Sequence, residues 1–317
     1  MEQKNLTATV TEFVLLGLTQ SPELQRFLFI IFSILYLTTW LGNFIIITTV
    51  ISNHRLHTPI YFLLANLAFI DISDSIVSVP KMLLGLLSQH KTISFNECIL
   101  QMFFFHFIAG AMVFLLVVMA ADRYVAIHKP LQYLTIMNRG VCGGLVAGTW
   151  MGGLAHSAIQ IGLVLQLPFC GSNVLDNFYC DIPQVVKLAC TDTYLFELLM
   201  VSQSGVLAII IFILLLISYT IILVKIRTHL TEGKRRHKAF STCSSHLIVV
   251  TLYYGCSSLI YLRPNSINLP DSNKVLSLIY TTVTSTLNPF IYTLRNKEVK
   301  EGLRKILGDD EEKSIFS

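Results

Sequence analysis

Asp122-Arg123-Tyr124 sets an acid directly beside a base, at the close of an apolar run from Met102 to Ala121 whose one ionisable residue is His106. A lone charge at the edge of a hydrocarbon phase is expensive, so Asp122 is expected to neutralise Arg123. Such a pair also has two states, held and released, which a switch requires. The bland reading is that the two charges anchor a helix end among lipid headgroups. His106, His156 and His246 are single histidines in three apolar runs. Catalysis needs a nucleophile and a base together, and a metal site needs its ligands together. These histidines are expected on separate helices at different depths, so neither an enzyme nor a metal or other cofactor is expected. Asp71 and Asp74 are the acids well inside an apolar run. A transporter or channel would add charges along a path, or repeated halves with broken helices, and the sequence has no internal repeat.

The elements that carry these residues follow from composition. Of 317 residues, 53% are hydrophobic and 13% charged, about half the charged share of a soluble domain. A membrane span needs about 20 consecutive apolar residues. Seven stretches qualify: Phe27–Asn53, Tyr61–Leu87, Ile99–Ala121, Val141–Leu167, Leu198–Val224, Ala239–Leu262 and Val275–Leu294. They are too long and too continuous for barrel strands, which alternate over about 10 residues. The expected fold is an all-α membrane protein, one seven-transmembrane helix bundle over residues 1–317. Residues 1–25 form an amino-terminal segment, 168–197 a long second outer loop and 296–317 a tail. Asn296–Leu307 reads as a short amphipathic helix on the membrane face, followed by the acidic Asp309, Asp310, Glu311 and Glu312.

Lys and Arg concentrate on the cytoplasmic side of membrane proteins. With the amino terminus outside, sixteen of the 23 fall inside, among them Lys234, Arg235, Arg236 and Lys238 before the sixth span. Asn5-Leu6-Thr7 is a glycosylation acceptor on the outer side. The first residues are polar, so the first span is expected to serve as the targeting signal. Cys98, Cys170, Cys180 and Cys190 fall outside in this topology. An even number in an oxidising compartment points to disulfides, with three possible pairings. Cys142, Cys243 and Cys256 are expected to remain thiols.

Six stretches in this order carry a resemblance: Leu41-Gly42-Asn43; LHTPIYFLLANLAFID, Leu56–Asp71; MAADRYVAIHKPLQY, Met119–Tyr133; SYTIIL, Ser218–Leu223; KAFSTCSSHL, Lys238–Leu247; and NPFIYTLRNKEVK, Asn288–Lys300. The chain resembles the vertebrate olfactory receptors, within the rhodopsin-like G-protein-coupled receptors. It departs from their usual pattern at Ala121 (Tyr), His128 (Cys), Gln132 (His) and Ser244 (Ala), and has Met112 where a carboxylate often stands.

The resemblance implies that Arg123 is held by Asp122 at rest and released on activation to admit the carboxyl-terminal helix of a G protein. It gives Tyr219 a hydroxyl for the moved Arg123, and Lys238 a contact with the G protein. Pro289 removes a backbone donor, with Asn288 expected to occupy the freed group and Tyr292 to swing inward. It also implies Cys98–Cys180 and Cys170–Cys190 bonds. The pocket is expected along one face of the third span, at Phe105, His106, Ala109 and Gly110, with His106 roughly 25 Å outward of Arg123 at 1.5 Å per residue. Gln203, Ser204 and Leu207 would face it from the fifth span, and Tyr254, Ser258 and Tyr261, at i, i+4 and i+7, from the sixth. Such a pocket is apolar with a few polar groups and suits a small volatile odorant. The partners expected are that ligand, membrane lipid and an olfactory stimulatory heterotrimeric G protein that raises cAMP; no nucleic acid is expected. The expected location is the plasma membrane, in olfactory cilia. The rival within receptors is a non-olfactory member with an endogenous metabolite as ligand.

Overall fold

A computed structural model describes residues 10–88, 91–170, 172–229, 233, 243–244, 246–256, 270–293 and 297–306. Helix α1 is Pro22–Ser52, α2 Pro59–Leu87, α3 Phe95–His128 and α4 Arg139–Val164. Helix α5 joins Tyr194–Val201, a π-helical turn Ser202–Val206 and Leu207–His229. The described part of α6 is His246–Cys256. Helix α7 joins Pro270–Leu278, a second π-helical turn Ile279–Val283 and Thr284–Thr293, and α8 is Lys297–Ile306.

The helices overrun most of the predicted apolar stretches because polar residues extend them into the interface. Helix α3 shows this at both ends. Ser94 caps its start, accepting from the Glu97 amide at 3.2 Å while the Glu97 carboxylate accepts from the Ser94 amide at 3.2 Å. These bonds hold the Glu97 carboxyl below its usual range. At the other end α3 continues to His128, so Asp122-Arg123 lies inside the helix rather than at its end. Helix α5 starts at Tyr194, which shortens the second outer loop expected to reach 197.

Among the described residues, Pro22–Ser52, Pro59–Leu87, Phe95–His128 and Ile209–Thr228 are long and apolar enough to cross a membrane. Their outward faces expose Phe27, Ile34, Leu41, Phe44, Ile213 and Leu214, a surface too apolar for water. One core runs through the bundle and includes Leu63, Leu67, Leu115, Met119, Tyr219 and Ile222.

A small sheet lies beyond the all-helical expectation. Strand β1 (Glu12–Leu15) pairs antiparallel with β2 (Thr92–Ser94) and parallel with β3 (Val174–Leu175), β1 in the middle. Phe13 faces Ile93 in register and packs its fully buried ring on Phe95 and Phe169. Gly17 ends this strand segment at φ +74°, a conformation that glycine adopts without a Cβ clash. This second core, with Cys98, Met102, Ile161 and Val185, fastens the amino-terminal segment to the outer loops.

Helices α3 and α4 touch backbone to backbone. A Cβ on Gly153 would stand 2.5 Å from the Phe107 carbonyl oxygen and 2.7 Å from the Ala111 nitrogen. Ser157 hydrogen-bonds the Phe103 carbonyl at 2.6 Å beside this contact. Gly153→Ala must therefore separate the helices. Overpacking of this kind costs about 1–3 kcal/mol, and the purified variant is expected to melt several degrees below wild type in a thermal-shift assay.

The long loop between α4 and α5 is tied by Cys98–Cys180 (Cα–Cα 5.5 Å) and Cys170–Cys190 (5.8 Å). Next to Cys180, Asp181 is buried and its Oδ1 has no hydrogen-bond partner among the described residues. Burial pushes its carboxyl from 3.8 up to about 7, against a smaller opposing pull from Lys187 and an Ile182 backbone hydrogen bond. The unfolded chain then ionises first as pH rises, so the wild type loses stability between about pH 4 and 7 and no more above that. Melting curves of wild type and Asp181→Asn across pH 5–8 test this. The Asn variant is expected to gain on wild type up to pH 7, with the difference constant beyond.

Candidate functional site

The acid–base pair of α3 is built as a three-residue cluster. Asp122 is fully buried. Its Oδ2 accepts from Arg123 Nε at 2.9 Å and also from the Arg123 terminal amine. Its Oδ1 accepts from the Tyr133 hydroxyl at 2.7 Å, and Arg123 reaches the same hydroxyl at 3.4 Å. Both carboxylate oxygens are thus occupied, which a buried charge requires. Tyr133 comes from the short helix Tyr133–Ile136 that follows α3. The resembling stretch MAADRYVAIHKPLQY ended on this residue, but spacing alone did not assign it a role.

Around the cluster stand groups from α5 and α6. Tyr219 is buried, with its hydroxyl unpartnered among the described residues, and it lies within electrostatic range of Asp122, Arg123 and Cys243. His246 is buried on α6 within range of Arg123. Tyr124, one residue beyond Arg123, is exposed and stacks on His128 at 4.2 Å. His128 places Nδ1 2.9 Å from Lys225 Nζ on α5. Ammonium only donates, so this His128 nitrogen accepts.

A second polar cluster joins α1, α2 and α7. Pro289 lacks an N–H, which frees the carbonyl of Ser285 four residues earlier. Asn288 does not occupy that carbonyl, contrary to the sequence-based expectation. Its Nδ2 donates to both oxygens of Asp71, at 3.0 and 2.9 Å. Asn43 of α1 takes the freed group instead, donating to Ser285 at 3.2 Å and to Thr39 at 2.9 Å. A Cβ on the preceding Gly42 would stand 2.9 Å from Pro289 Cβ, so glycine admits the proline there.

Toward the outer face, His106 is buried and its Nδ1 donates to the Met102 carbonyl at 2.9 Å, leaving Nε2 as an acceptor. His156 of α4 lies 6.3 Å away, ring to ring. These two histidines therefore face each other, contrary to the expectation of different depths, because Gly110 and Gly153 let α3 and α4 close up. For the same reason Gly110 opens no space: a Cβ on it would stand 2.9 Å from Gly153 Cα and 3.5 Å from His156. Phe105 packs on Tyr179 of the second outer loop at 5.2 Å, and Tyr179 donates to Ser277 of α7 at 3.4 Å. Tyr254 donates to the Val113 carbonyl at 3.1 Å and stacks on Phe212. Tyr253 donates to the carbonyl of Ala109 at 3.2 Å. Gln203 and Ser204 fall in the π-helical turn of α5 and Leu207 begins the segment after it; π turns recur at functional sites. The side chains of Gln203, Ser204, Leu207 and Tyr292, and residues Asn5, Lys238, Ser258 and Tyr261, lie outside the described set.

An apolar helical bundle with four described helices long enough to cross a membrane defines a multi-pass membrane protein. The family model described as "Olfactory receptor" matches residues 32–310. The chain is 52% identical to Olfactory receptor 4N5 of Homo sapiens over 97% of this chain and 98% of that protein. It is 54% identical to Olfactory receptor 4D1 of Homo sapiens over 96% and 97%, and 51% identical to Olfactory receptor 4E2 of Mus musculus over 94% and 95%. The chain belongs to the olfactory receptor family, and with it to the seven-transmembrane bundle.

The Tyr133 hydroxyl ties the acid–arginine cluster to an element outside α3. Tyr133→Phe deletes that bond and little else. A hydrogen bond to a charged group contributes about 1.5–3 kcal/mol, so loosening the held state is expected to raise ligand-free signalling several-fold at matched surface expression. An unchanged basal signal in a cAMP reporter assay would contradict this.

Proposed function

We propose that this odorant receptor binds a small, mostly apolar volatile molecule between α3, α5, α6 and α7, and activates a stimulatory heterotrimeric G protein to raise cAMP. The observation that carries this reading is the held state of Arg123, with both oxygens of buried Asp122 occupied and the unpartnered hydroxyl of Tyr219 in the same neighbourhood. Holding one charge by a neighbour, with a second acceptor nearby, gives Arg123 an alternative position. Ligand binding biases that balance only through a difference in affinity for the two states.

Helix α6 supplies the mechanical link. Tyr253 and Tyr254 fasten its middle to two α3 carbonyls four residues apart, Ala109 and Val113. These lie between His106 and Arg123 in the sequence of α3, so a ligand that shifts α6 against α3 acts on the same helix that carries Arg123. His106 Nε2, as an acceptor, offers a polar edge to a ligand with a hydroxyl, the neighbouring Phe105 supplies apolar surface, and Tyr254 adds an aromatic ring further along α3, at Val113. Ser258 and Tyr261 extend this face of α6 by spacing, with Gln203, Ser204 and Leu207 across from it on α5. In this reading the amino terminus and a glycosylated Asn5 face outward, the carboxyl terminus and Lys238 face the cytoplasm, and the receptor works in the plasma membrane of olfactory cilia.

Arg123→Ala tests the coupling arm. Ligand binding is expected to persist while ligand-evoked cAMP disappears in cells supplied with the olfactory stimulatory G protein. A normal cAMP response at matched surface expression would sink the proposal. A screen of volatile compounds against metabolites in the same cells separates an odorant receptor from one with an endogenous ligand.

A further inference from the structure

A cavity of about 260 Å³ lies where the amino-terminal segment, the last two turns of α2 and strand β2 meet, at the end of the bundle away from Arg123. It sits on the seam between the two hydrophobic cores. Its floor is Met82 and Leu86 of α2 and Phe178 of the loop between α4 and α5, from the bundle core, with Leu15 from the second core. All four are buried. None of the residues assigned above to the odorant pocket or to the Arg123 cluster lines it. The volume falls just short of the roughly 300–1,000 Å³ of pockets for drug-sized ligands, so an occupant is small.

Two ammonium groups join this apolar floor. Lys81 of α2 and Lys91, just before β2, line the cavity and are half-buried. Gly17 makes room for the second, since a Cβ there would stand 3.4 Å from Lys91 Nζ. Lys91 Nζ donates to the carbonyls of Leu16 and Thr19 at 3.4 and 3.5 Å, long contacts that leave an ammonium underused. Glu97 lies within electrostatic range of Lys81, but no carboxylate lines the cavity among the described residues. Two half-buried cations above an apolar floor favour a ligand that brings both a negative charge and an apolar body. A neutral volatile leaves the cations unmatched, an inorganic anion leaves the floor unfilled, and a phospholipid is far larger than the space. We propose that this cavity is a second ligand site that takes a short-chain alkyl monocarboxylate, its carboxylate at Lys81 and Lys91 and its chain over Met82, Leu86 and Phe178. Bound there, the ligand bridges the amino-terminal segment to α2.

Saturation-transfer NMR on the purified full-length receptor in detergent tests this, with hexanoate as the probe and hexanol as its uncharged counterpart. Wild type is expected to bind hexanoate saturably. Lys91→Met should weaken that binding about tenfold, the loss of one hydrogen bond to a charged group, and Lys81→Met should weaken it several-fold. Lys187→Met, which removes an exposed charge outside the cavity, should leave it unchanged. Hexanol should bind alike to wild type and both cavity-lysine variants. Gly85 lines the cavity and a Cβ there meets nothing within 4 Å, so Gly85→Leu fills the space without a clash at Cβ and should lower hexanoate binding. Inorganic phosphate at matched ionic strength should not displace hexanoate. No saturable binding by wild type, unchanged affinity in Lys91→Met, an equal loss in Lys187→Met, full binding in Gly85→Leu, displacement by phosphate, or a parallel loss of hexanol would each overturn the proposal.

Discussion

A carbonyl or amide left unpaired in hydrocarbon costs several kcal/mol, and Pro289 creates such a carbonyl in the middle of α7. Its partner has to come from another helix, and Asn43 provides it across the α1–α7 contact that Gly42 permits. Much of the polar architecture follows the same constraint. Asp71 is paired by Asn288, Thr39 meets Thr286 at 2.7 Å, and Ser157 meets the Phe103 carbonyl. Because the lipid supplies no hydrogen bonds, the polar residues that bond across the bundle also state which helices are neighbours.

That economy shapes the functional end of the molecule. Buried Asp122 has both oxygens occupied, by Arg123 and by Tyr133, so the cluster is a closed set of hydrogen bonds. Tyr219, by contrast, is buried with its hydroxyl unpartnered among the described residues. A satisfied cluster beside an unpartnered hydroxyl that can accept from an arginine is an arrangement with an alternative pairing close at hand. The α3–α6 tyrosine bonds work in the opposite direction, since two hydroxyls on adjacent residues keep α6 against α3. Helix α6 moves only when something offsets those bonds.

The end of the bundle away from Arg123 obeys different physics. There covalent ties add to the packing, and Cys98–Cys180 and Cys170–Cys190 fix a loop that carries little regular structure. The three-stranded sheet adds the amino-terminal segment to this lid. Asp181, buried next to Cys180, shows the cost of packing a loop so closely: a carboxyl displaced toward neutrality because water no longer reaches it.

The amino-acid sequence by itself determined the helical class, the order of the spans and the family, because long uncharged runs have one stable form in lipid and six ordered motifs have one close counterpart. It also marked Asp122, Arg123, Tyr219 and Asn288 as residues with chemistry. It did not determine partners. Strand β1 is too short, and its pairing with residues 92–94 and 174–175 too distant in sequence, for periodicity to reveal it. The roles of Tyr133 and Asn43, the exchange by which Asn288 serves Asp71 rather than the proline-freed carbonyl, and the meeting of His106 with His156 all depend on interhelical distances. Those distances were decided by tertiary packing: glycines at 42, 110 and 153 let particular pairs of backbones approach, and only that approach brings the side chains within hydrogen-bonding reach.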